Sequence, residues 1–382
     1  MSAGLRTLPR LYACRCGGPT FFRNDTCLQC LTPLGYEPLS GRVYPLLPGS
    51  APNSWTIIDG PEGLFRRCNN SASPAACNWL VPEDDYANAQ PFCASCRLNR
   101  TIPDLSIPLN AVYWRSIELA KRRLVSALLA LGLPVKSRLT EDPQFGLAFD
   151  ILKPREDGVP VLTGHSDGII TLNIDEADDA TREGIRALMR EPYRTVLGHL
   201  RHEVGHYYWH RLVERTAWLE RFRELFGDER EDYGQALSRY YREGPPSDWQ
   251  TRHVSAYASA HPWEDWAETW AHFLHVFDTL GTVFSFSLDI NSVEMPFEAF
   301  GPDVLFQEDD GFLTHLNTWL RFTAVLNEFS RSMGLPDFYP FVLSRSSVKK
   351  LHFVHALVVS TGSPRTESAL MPSTSSMALV EE

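Results

Sequence analysis

The feature that most constrains the fold of this chain is the placement of its eight cysteines. All eight lie in the first 96 of 382 residues, in two groups of four that each end in Cys-x-x-Cys. A secreted protein would use them for disulfides, but no apolar signal segment follows Met1–Arg10, which favours a reducing compartment. We therefore expect two tetrahedral zinc sites. The expected ligands are Cys14, Cys16, Cys27 and Cys30 in the first quartet, and Cys68, Cys77, Cys93 and Cys96 in the second.

The cysteine-rich region is also poor in helix signals. It is rich in Gly, Pro, Asn and Ser, and short apolar stretches at 42–47 and 55–58 predict strands between turns. Bound zinc would stabilise a segment that has too little apolar helix to fold alone. Two alternatives fit the same pattern: a docking module, and a single site in which the two Cys-x-x-Cys pairs share one metal.

Charge and hydropathy narrow the classes of function. Residues 1–100 carry nine arginines, no lysine and seven acidic residues, a sum of +2, which leaves −13 on the rest of the chain. An acidic body is a poor electrostatic partner for nucleic acid, so we do not expect nucleic-acid binding. The most apolar stretch, 124–135, is too short to cross a bilayer. We therefore expect a soluble, cytoplasmic protein that does not contact membranes.

A second motif lies near the middle of the chain. Residues 202–206 read His-Glu-Val-Gly-His within a helix that we predict from about residue 192 to 225. Histidines four residues apart are about 40° apart around a helix and about 6 Å apart along it, so both rings can reach one Zn²⁺. Glu203 would lie beside His202 and His206, where it can take a proton from a metal-activated water.

The metal needs a third protein ligand, and the sequence offers candidates downstream. Glu264, Glu268 and His272 follow at spacings of four, on one face of a helix that we predict from about residue 262 to 280. Three ionisable groups among tryptophans are costly to bury unless they are paired or bound to a metal. Spacing alone does not decide between Glu264 and Glu268.

The two helices together resemble gluzincin-type zinc peptidases, in which a Glu on a second helix completes the site. More closely, the chain resembles bacterial zinc-binding metallopeptidases with an N-terminal zinc ribbon, over roughly residues 10–340. The resemblance rests on the first cysteine quartet and on two motifs, His202-Glu203-Val204-Gly205-His206-Tyr207-Tyr208-Trp209 and Pro262-Trp263-Glu264-Asp265-Trp266-Ala267-Glu268-Thr269-Trp270-Ala271-His272.

This resemblance implies roles for individual residues. In gluzincins the first acid of a Glu-x-x-x-acid pair binds zinc and the second orients a zinc-binding histidine, which makes Glu264 the ligand and Glu268 its supporting partner. Lethal-factor-type toxin peptidases also carry a tyrosine seven residues before the ligand Glu. Tyr257 has that position and could donate to a developing oxyanion. Tyr207 and Tyr208 are alternatives that fit better as core aromatics.

The sequence thus predicts an α+β protein in three parts. A small zinc-ribbon-like β region covers 1–102, a zincin-like metallopeptidase domain covers 103–345, and a C-terminal extension covers 346–382, largely disordered from about residue 361. A strand at 168–174 is a candidate sheet edge for an extended peptide.

The expected function is zinc-dependent hydrolysis of a peptide or protein substrate, with one catalytic and two structural Zn²⁺. Glu203 would act as the general base. The alternative is a binding scaffold, in which the ribbon region recognises protein or nucleic acid and the zincin domain is not proteolytic. Glu203 argues against that alternative, because binding alone needs no general base.

Overall fold

The computed structural model describes residues 8–88, 90–154, 161–189, 191–290, 292–295 and 299–362. The strands are β1 (Leu11–Ala13), β2 (Pro19–Phe21), β3 (Leu34–Glu37), β4 (Arg42–Pro48), β5 (Trp55–Ile57), β6 (Phe65–Arg67), β7 (Leu80–Pro82), β8 (Asn99–Thr101), β9 (Ala148–Leu152), β10 (Gly164–Ser166) and β11 (Ile169–Asn173). The helices are α1 (Glu83–Ala87), α2 (Pro108–Ala130), α3 (Asp179–Met189), α4 (Val196–Leu212), α5 (Leu219–Phe226), α6 (Tyr233–Glu243), α7 (Trp249–Arg252), α8 (Pro262–Ser285), α9 (Phe312–Ser332) and α10 (Arg345–Gly362).

The N-terminal region consists of short antiparallel strands, as its turn-rich sequence predicts. β1 pairs with β2, and β3 to β7 form a five-stranded sheet in chain order. Tyr36 of β3 also forms a bridge to Trp79, so the sheet curls back on itself. Helices dominate the rest of the described chain, which confirms the predicted α+β class with a β region first.

The last strand of the N-terminal region belongs to a second sheet. β8 and β11 both pair with β9 in parallel, and β10 pairs with β11 antiparallel. β11 is therefore an internal strand, and the prediction that 168–174 forms the sheet edge is wrong. The reason is a two-residue turn: Asp167 and Gly168 both have positive φ, so the chain reverses and β10 covers β11.

Helices α4 and α8 cross at Gly205. A β-carbon at this position would lie 3.1 Å from the Cα of Ala267 and 3.2 Å from the Cβ of Trp270. Trp266 donates its indole N–H to the Gly205 carbonyl over 2.8 Å. A glycine in the middle of a helix costs about 1 kcal/mol. Here it allows the two helices that carry both motifs to approach each other closely.

The helix predicted from 192 to 225 is two helices, α4 and α5. Thr216 lies between them and donates its hydroxyl to the Leu212 carbonyl while accepting the Trp218 N–H. These local hydrogen bonds compete with the helical ones and end α4. α6 follows α5 along the chain. Asp232 caps its start by accepting the Gln235 N–H over 2.8 Å.

The C-terminal helix α10 packs against α8. Val348, Phe353 and Leu357 are fully buried, and Lys350 forms an ion pair with Asp265 of α8. The expected domain boundary at 345 coincides with the first residue of α10, and we propose that the metallopeptidase domain extends through this helix. The predicted disorder from about 361 falls mainly on residues outside the described ones. No described helix has the length and apolar character needed to cross a bilayer.

Candidate active site and metal centres

Helix α4 holds the first two candidate ligands. Thr195 caps the helix by accepting the Gly198 N–H over 2.9 Å. Leu200 and Val204 are fully buried, which fixes the rotation of the helix about its axis. The rings of His202 and His206 then lie with their centroids 4.9 Å apart.

Helix α8 brings the carboxylate of Glu264 to these rings. The ring of His261 accepts the Trp263 N–H over 3.0 Å and so caps the helix. Glu264 is only 1% exposed, and its Oε2 lies 3.0 Å from Nε2 of His202. Its Oε1 lies 3.6 Å from Nε2 of His206. One ligand atom from each of the three residues lies within 4.8 Å of the others.

The side chains fit a zinc ion. Oε2 of Glu264 is buried, and it has no hydrogen bond within the described part of the chain despite its closeness to His202. Two imidazoles and one carboxylate are the donor set of many catalytic zinc sites. Burial raises the pKa of Glu264, but His206 and His202 outweigh it and hold the pKa well below its usual range. The carboxylate is thus in the charged form that binds metal.

Glu268 lies behind His202. Its Oε1 is 2.8 Å from Nδ1 of His202, and its Oε2 accepts the Ser255 hydroxyl over 2.6 Å. Burial raises the pKa of Glu268, but His202 outweighs burial and lowers the pKa to about 2. This carboxylate therefore favours the His202 tautomer that presents Nε2 to Glu264. The structure thus gives the two glutamates different positions, which spacing alone had left open.

His272, the third ionisable residue of that helix face, makes a different contact. Its Nδ1 forms a hydrogen bond with the Tyr339 hydroxyl. Burial lowers the pKa of His272 to about 4. This residue is therefore neutral and bonded to Tyr339, and it is not among the three that converge.

Tyr257 lies next to His202, with ring centroids 6.0 Å apart. Burial raises the pKa of Tyr257, and the charges of Glu264 and Glu203 raise it further. Tyr233, which the sequence did not indicate, donates its hydroxyl to Oε1 of Glu264 over 2.6 Å. Glu203 itself is buried.

The two alternative tyrosines point elsewhere. Tyr207 donates to the Phe145 carbonyl over 3.0 Å, and Tyr208 donates to the Pro134 carbonyl over 2.9 Å. Both rings are almost completely buried. They are core aromatics, as their sequence context favours.

The sheet edge β10 runs alongside this site. His165 of β10 has its ring 6.4 Å from that of His206, and its Nε2 accepts the Gly168 N–H over 3.0 Å. Burial lowers the pKa of His165 to about 3, and His206 and His210 add to the effect. A neutral imidazole on the edge strand therefore borders the candidate metal ligands.

The cysteines form two clusters, each of the four residues grouped by sequence. In each quartet the four sulfur atoms lie within 4.8 Å of one another, and all eight thiols are free. In the first quartet Cys16 and Cys30 are exposed, whereas all four cysteines of the second quartet are buried. Each quartet matches the four-thiolate donor set of a structural zinc site.

Comparison with known proteins defines the class. Residues 110–357 match the family model described as "Putative zinc-binding metallo-peptidase", and residues 11–107 match a zinc-ribbon domain. The chain belongs to this zinc-binding metallopeptidase family and carries an N-terminal zinc ribbon, which confirms the resemblance seen in the sequence.

The relatives are bacterial. An uncharacterized protein of Mycobacterium tuberculosis strain H37Rv is 42% identical over 344 residues, which cover 90% of this chain and 93% of that protein. Uncharacterized proteins of Mycobacterium tuberculosis strain CDC 1551 and Mycobacterium bovis show the same identity and coverage. No solved structure matches the chain.

Proposed function

We propose that this protein hydrolyses peptide bonds as a gluzincin-type zinc peptidase, with His202, His206 and Glu264 as ligands of the catalytic ion. The observation that carries the proposal is the convergence of two imidazoles and one carboxylate within 4.8 Å, on helices that also carry Glu203 and Glu268. A metallopeptidase family implies a peptide or protein as the substrate.

Zinc at this position would lower the pKa of a water molecule and polarise the scissile carbonyl. Glu203 takes the proton of the attacking water and then delivers it to the leaving amine. Its charge contributes to the raised pKa of both Tyr257 and Tyr233, which supports its position at the same site.

Tyr257 is the proposed donor to the oxyanion that forms during attack. Its raised pKa keeps the phenol protonated and able to donate at neutral pH. Tyr233 has a supporting role in this proposal, because its hydroxyl is already bonded to Glu264 over 2.6 Å. Glu268 orients His202 through the 2.8 Å contact with Nδ1.

An extended substrate would bind along β10, which replaces β11 as the candidate edge. The strand contributes His165 next to His206, and its outer side has no partner strand among the described residues. Backbone hydrogen bonds along such an edge align a peptide regardless of its side chains. The two cysteine quartets would each hold a structural Zn²⁺. Cysteines that bind zinc must stay reduced, so the proposed location is the cytoplasm.

The test compares Glu203→Gln with Glu264→Ala on a proteome-derived peptide library read by mass spectrometry. We expect Glu203→Gln to keep its full zinc content and lose at least about 100-fold in cleavage rate, the scale of general-base catalysis. Glu264→Ala should lose one zinc per chain as well as activity. Glu214→Gln, which changes a partly exposed carboxylate two residues beyond the end of α4, is the matched control and should keep both.

Two outcomes would contradict the proposal. If Glu203→Gln cleaves as fast as the unmodified chain, the proposed general base is wrong. If the unmodified chain holds a zinc at His202 and His206 but cleaves nothing in the library, the binding-scaffold alternative gains support.

A further inference from the structure

A third cluster of potential metal ligands lies outside both cysteine quartets and the candidate active site. It consists of Asp310, in the segment that precedes α9, and of His352 and His355 on α10. One ligand atom from each residue lies within 4.8 Å of the others. No sequence motif indicates this cluster, because the first histidine lies 42 positions after the aspartate.

The three side chains converge on one point. Oδ1 of Asp310 lies 3.6 Å from Nε2 of His352, and Oδ2 lies 3.1 Å from Nδ1 of His355. Residues three apart on a helix are about 60° apart around the axis and about 4.5 Å apart along it, so both imidazoles extend from one side of α10. The carboxylate of Asp310 is the third potential ligand.

These polar atoms are buried without hydrogen bonds. His352 is 0% exposed, and within the described ranges neither of its ring nitrogens has a hydrogen-bond partner. The same holds for Nδ1 of His355, which is 4% exposed, and for Oδ1 of Asp310. Buried polar atoms are nearly always paired, so several unpaired ones in one place require an explanation. A hydrogen bond between Asp310 and His355 does not explain these unpaired atoms, because that hydrogen bond would leave His352 without a partner.

The surroundings suit an ion that enters from solvent and is then held. The rings of Phe306 and Phe312 flank His352 at centroid distances of 4.8 and 5.1 Å and limit its rotation. Phe312 also lies 5.3 Å from the ring of His355. The side chain of Asp310 is 32% exposed, so the carboxylate connects the buried histidines to the surface.

We propose that Asp310, His352 and His355 form a further metal site, for a divalent first-row transition metal such as Zn²⁺. Two imidazoles and a carboxylate favour these ions over Mg²⁺, which prefers oxygen ligands. The ion would join α10 to the start of α9, two helices that both pack against α8. This site is independent of the proposed catalytic one and is expected to stabilise the helices.

The test measures zinc per chain in the untagged full-length protein, equilibrated with buffered free Zn²⁺ and analysed by mass spectrometry of the metal. Asp310→Asn should bind one equivalent less than the unmodified chain, with affinity at that site reduced by more than about 100-fold, beyond the cost of losing an outer hydrogen-bond partner. Asp309→Asn is the matched control. It removes the same charge from the adjacent position and keeps the oxygen that accepts the Gly311 and Leu313 N–H groups.

Further arms separate this site from the others. The loss of one equivalent in Asp310→Asn should recur in a Glu264→Ala background, which lacks the catalytic ligand set. Ni²⁺ should compete for the site and Mg²⁺ should not. His355→Gln should reproduce the loss of one zinc equivalent. If that variant does not fold, Asp310→Asn still tests the proposal, because Asp310 is partly exposed. Equal zinc content in Asp310→Asn and the unmodified chain would overturn the proposal, as would an equal loss in Asp309→Asn.

Discussion

The two cysteine quartets have the same ligands in opposite surroundings. The first joins the β1–β2 ribbon to the segment before β3, and Cys16 and Cys30 are exposed to solvent. The second is buried, with every cysteine at most 3% exposed, and it lies against α2 of the metallopeptidase region. The same chemistry can therefore close a local loop or connect two regions, and burial distinguishes the two uses.

The two quartets also differ in how the negative charge of a zinc–thiolate site is compensated. A zinc ion with four thiolates carries a net charge of −2, which water can screen only at an exposed site. Around the second quartet the buried Arg122 donates to the Ala75 carbonyl over 3.0 Å, and the buried Lys121 pairs with Glu118 over 2.6 Å. Glu118 also contacts Cys96, with 3.8 Å between its Oε2 and the sulfur. Lys121 and Glu118 cancel each other's charge, so helix α2 supplies one net positive charge next to the second quartet, that of Arg122.

The largest expected effect is that of Cys93→Ser in the second quartet. Structural zinc in small domains contributes roughly 10–16 kcal/mol, which is comparable to the whole stability of a domain. Because this site joins two regions, we expect the variant to lose one zinc and the cooperative thermal transition of the entire chain. Circular dichroism on heating, together with metal analysis, measures both. A normal transition in this variant would show that the second quartet does not connect the regions.

A smaller effect is expected for Arg122→Met on α2. The change removes a buried positive charge beside the thiolates and should lower the free energy of unfolding by about 3–5 kcal/mol, the scale for breaking a buried charge pair. Arg115→Met, at an exposed position of the same helix, should change it by less than about 0.5 kcal/mol. Urea unfolding measures both variants. Equal effects would mean that Arg122 does not compensate the second quartet.

The smallest effect is expected for Cys16→Ser in the first quartet. This variant should lose one zinc and open the β1–β2 ribbon, while the main thermal transition stays within a few degrees of the unmodified chain. Hydrogen exchange should increase in residues 11–32 and remain unchanged in α2. If the variant unfolds the whole chain as Cys93→Ser is expected to do, the contrast between the two quartets is wrong.

The sequence was most informative where a site is built on one helix. The helix itself fixes the spacing within each pair of residues, which are His202 with His206 and Glu264 with Glu268. Tyr233 was missed because its contact with Glu264 depends on how α6 packs, which no local pattern encodes. The cluster around Asp310 was missed for the same reason.

Other features that the sequence analysis did not predict had local sequence signals, but stronger signals from neighbouring segments obscured them. Asp167-Gly168 is a two-residue hairpin sequence, but the apolar run that follows it suggested only the strand β11. α10 was missed because the chain ends in a Ser- and Pro-rich stretch, which dominated the composition after residue 345. The buried residues of α10 repeat at helical spacing. They pack against the preceding helices, which a local reading of the sequence does not include.

The most direct test of the proposed catalytic centre is a crystal structure of the full chain with anomalous diffraction measured at the zinc absorption edge. We predict a peak about 2.0–2.2 Å from Nε2 of His202, Nε2 of His206 and a carboxylate oxygen of Glu264, with Glu268 bonded only to Nδ1 of His202. A peak coordinated by Glu268 in place of Glu264 would reverse the assigned roles. No peak between His202 and His206, in crystals whose cysteine quartets hold zinc, would contradict the proposed function.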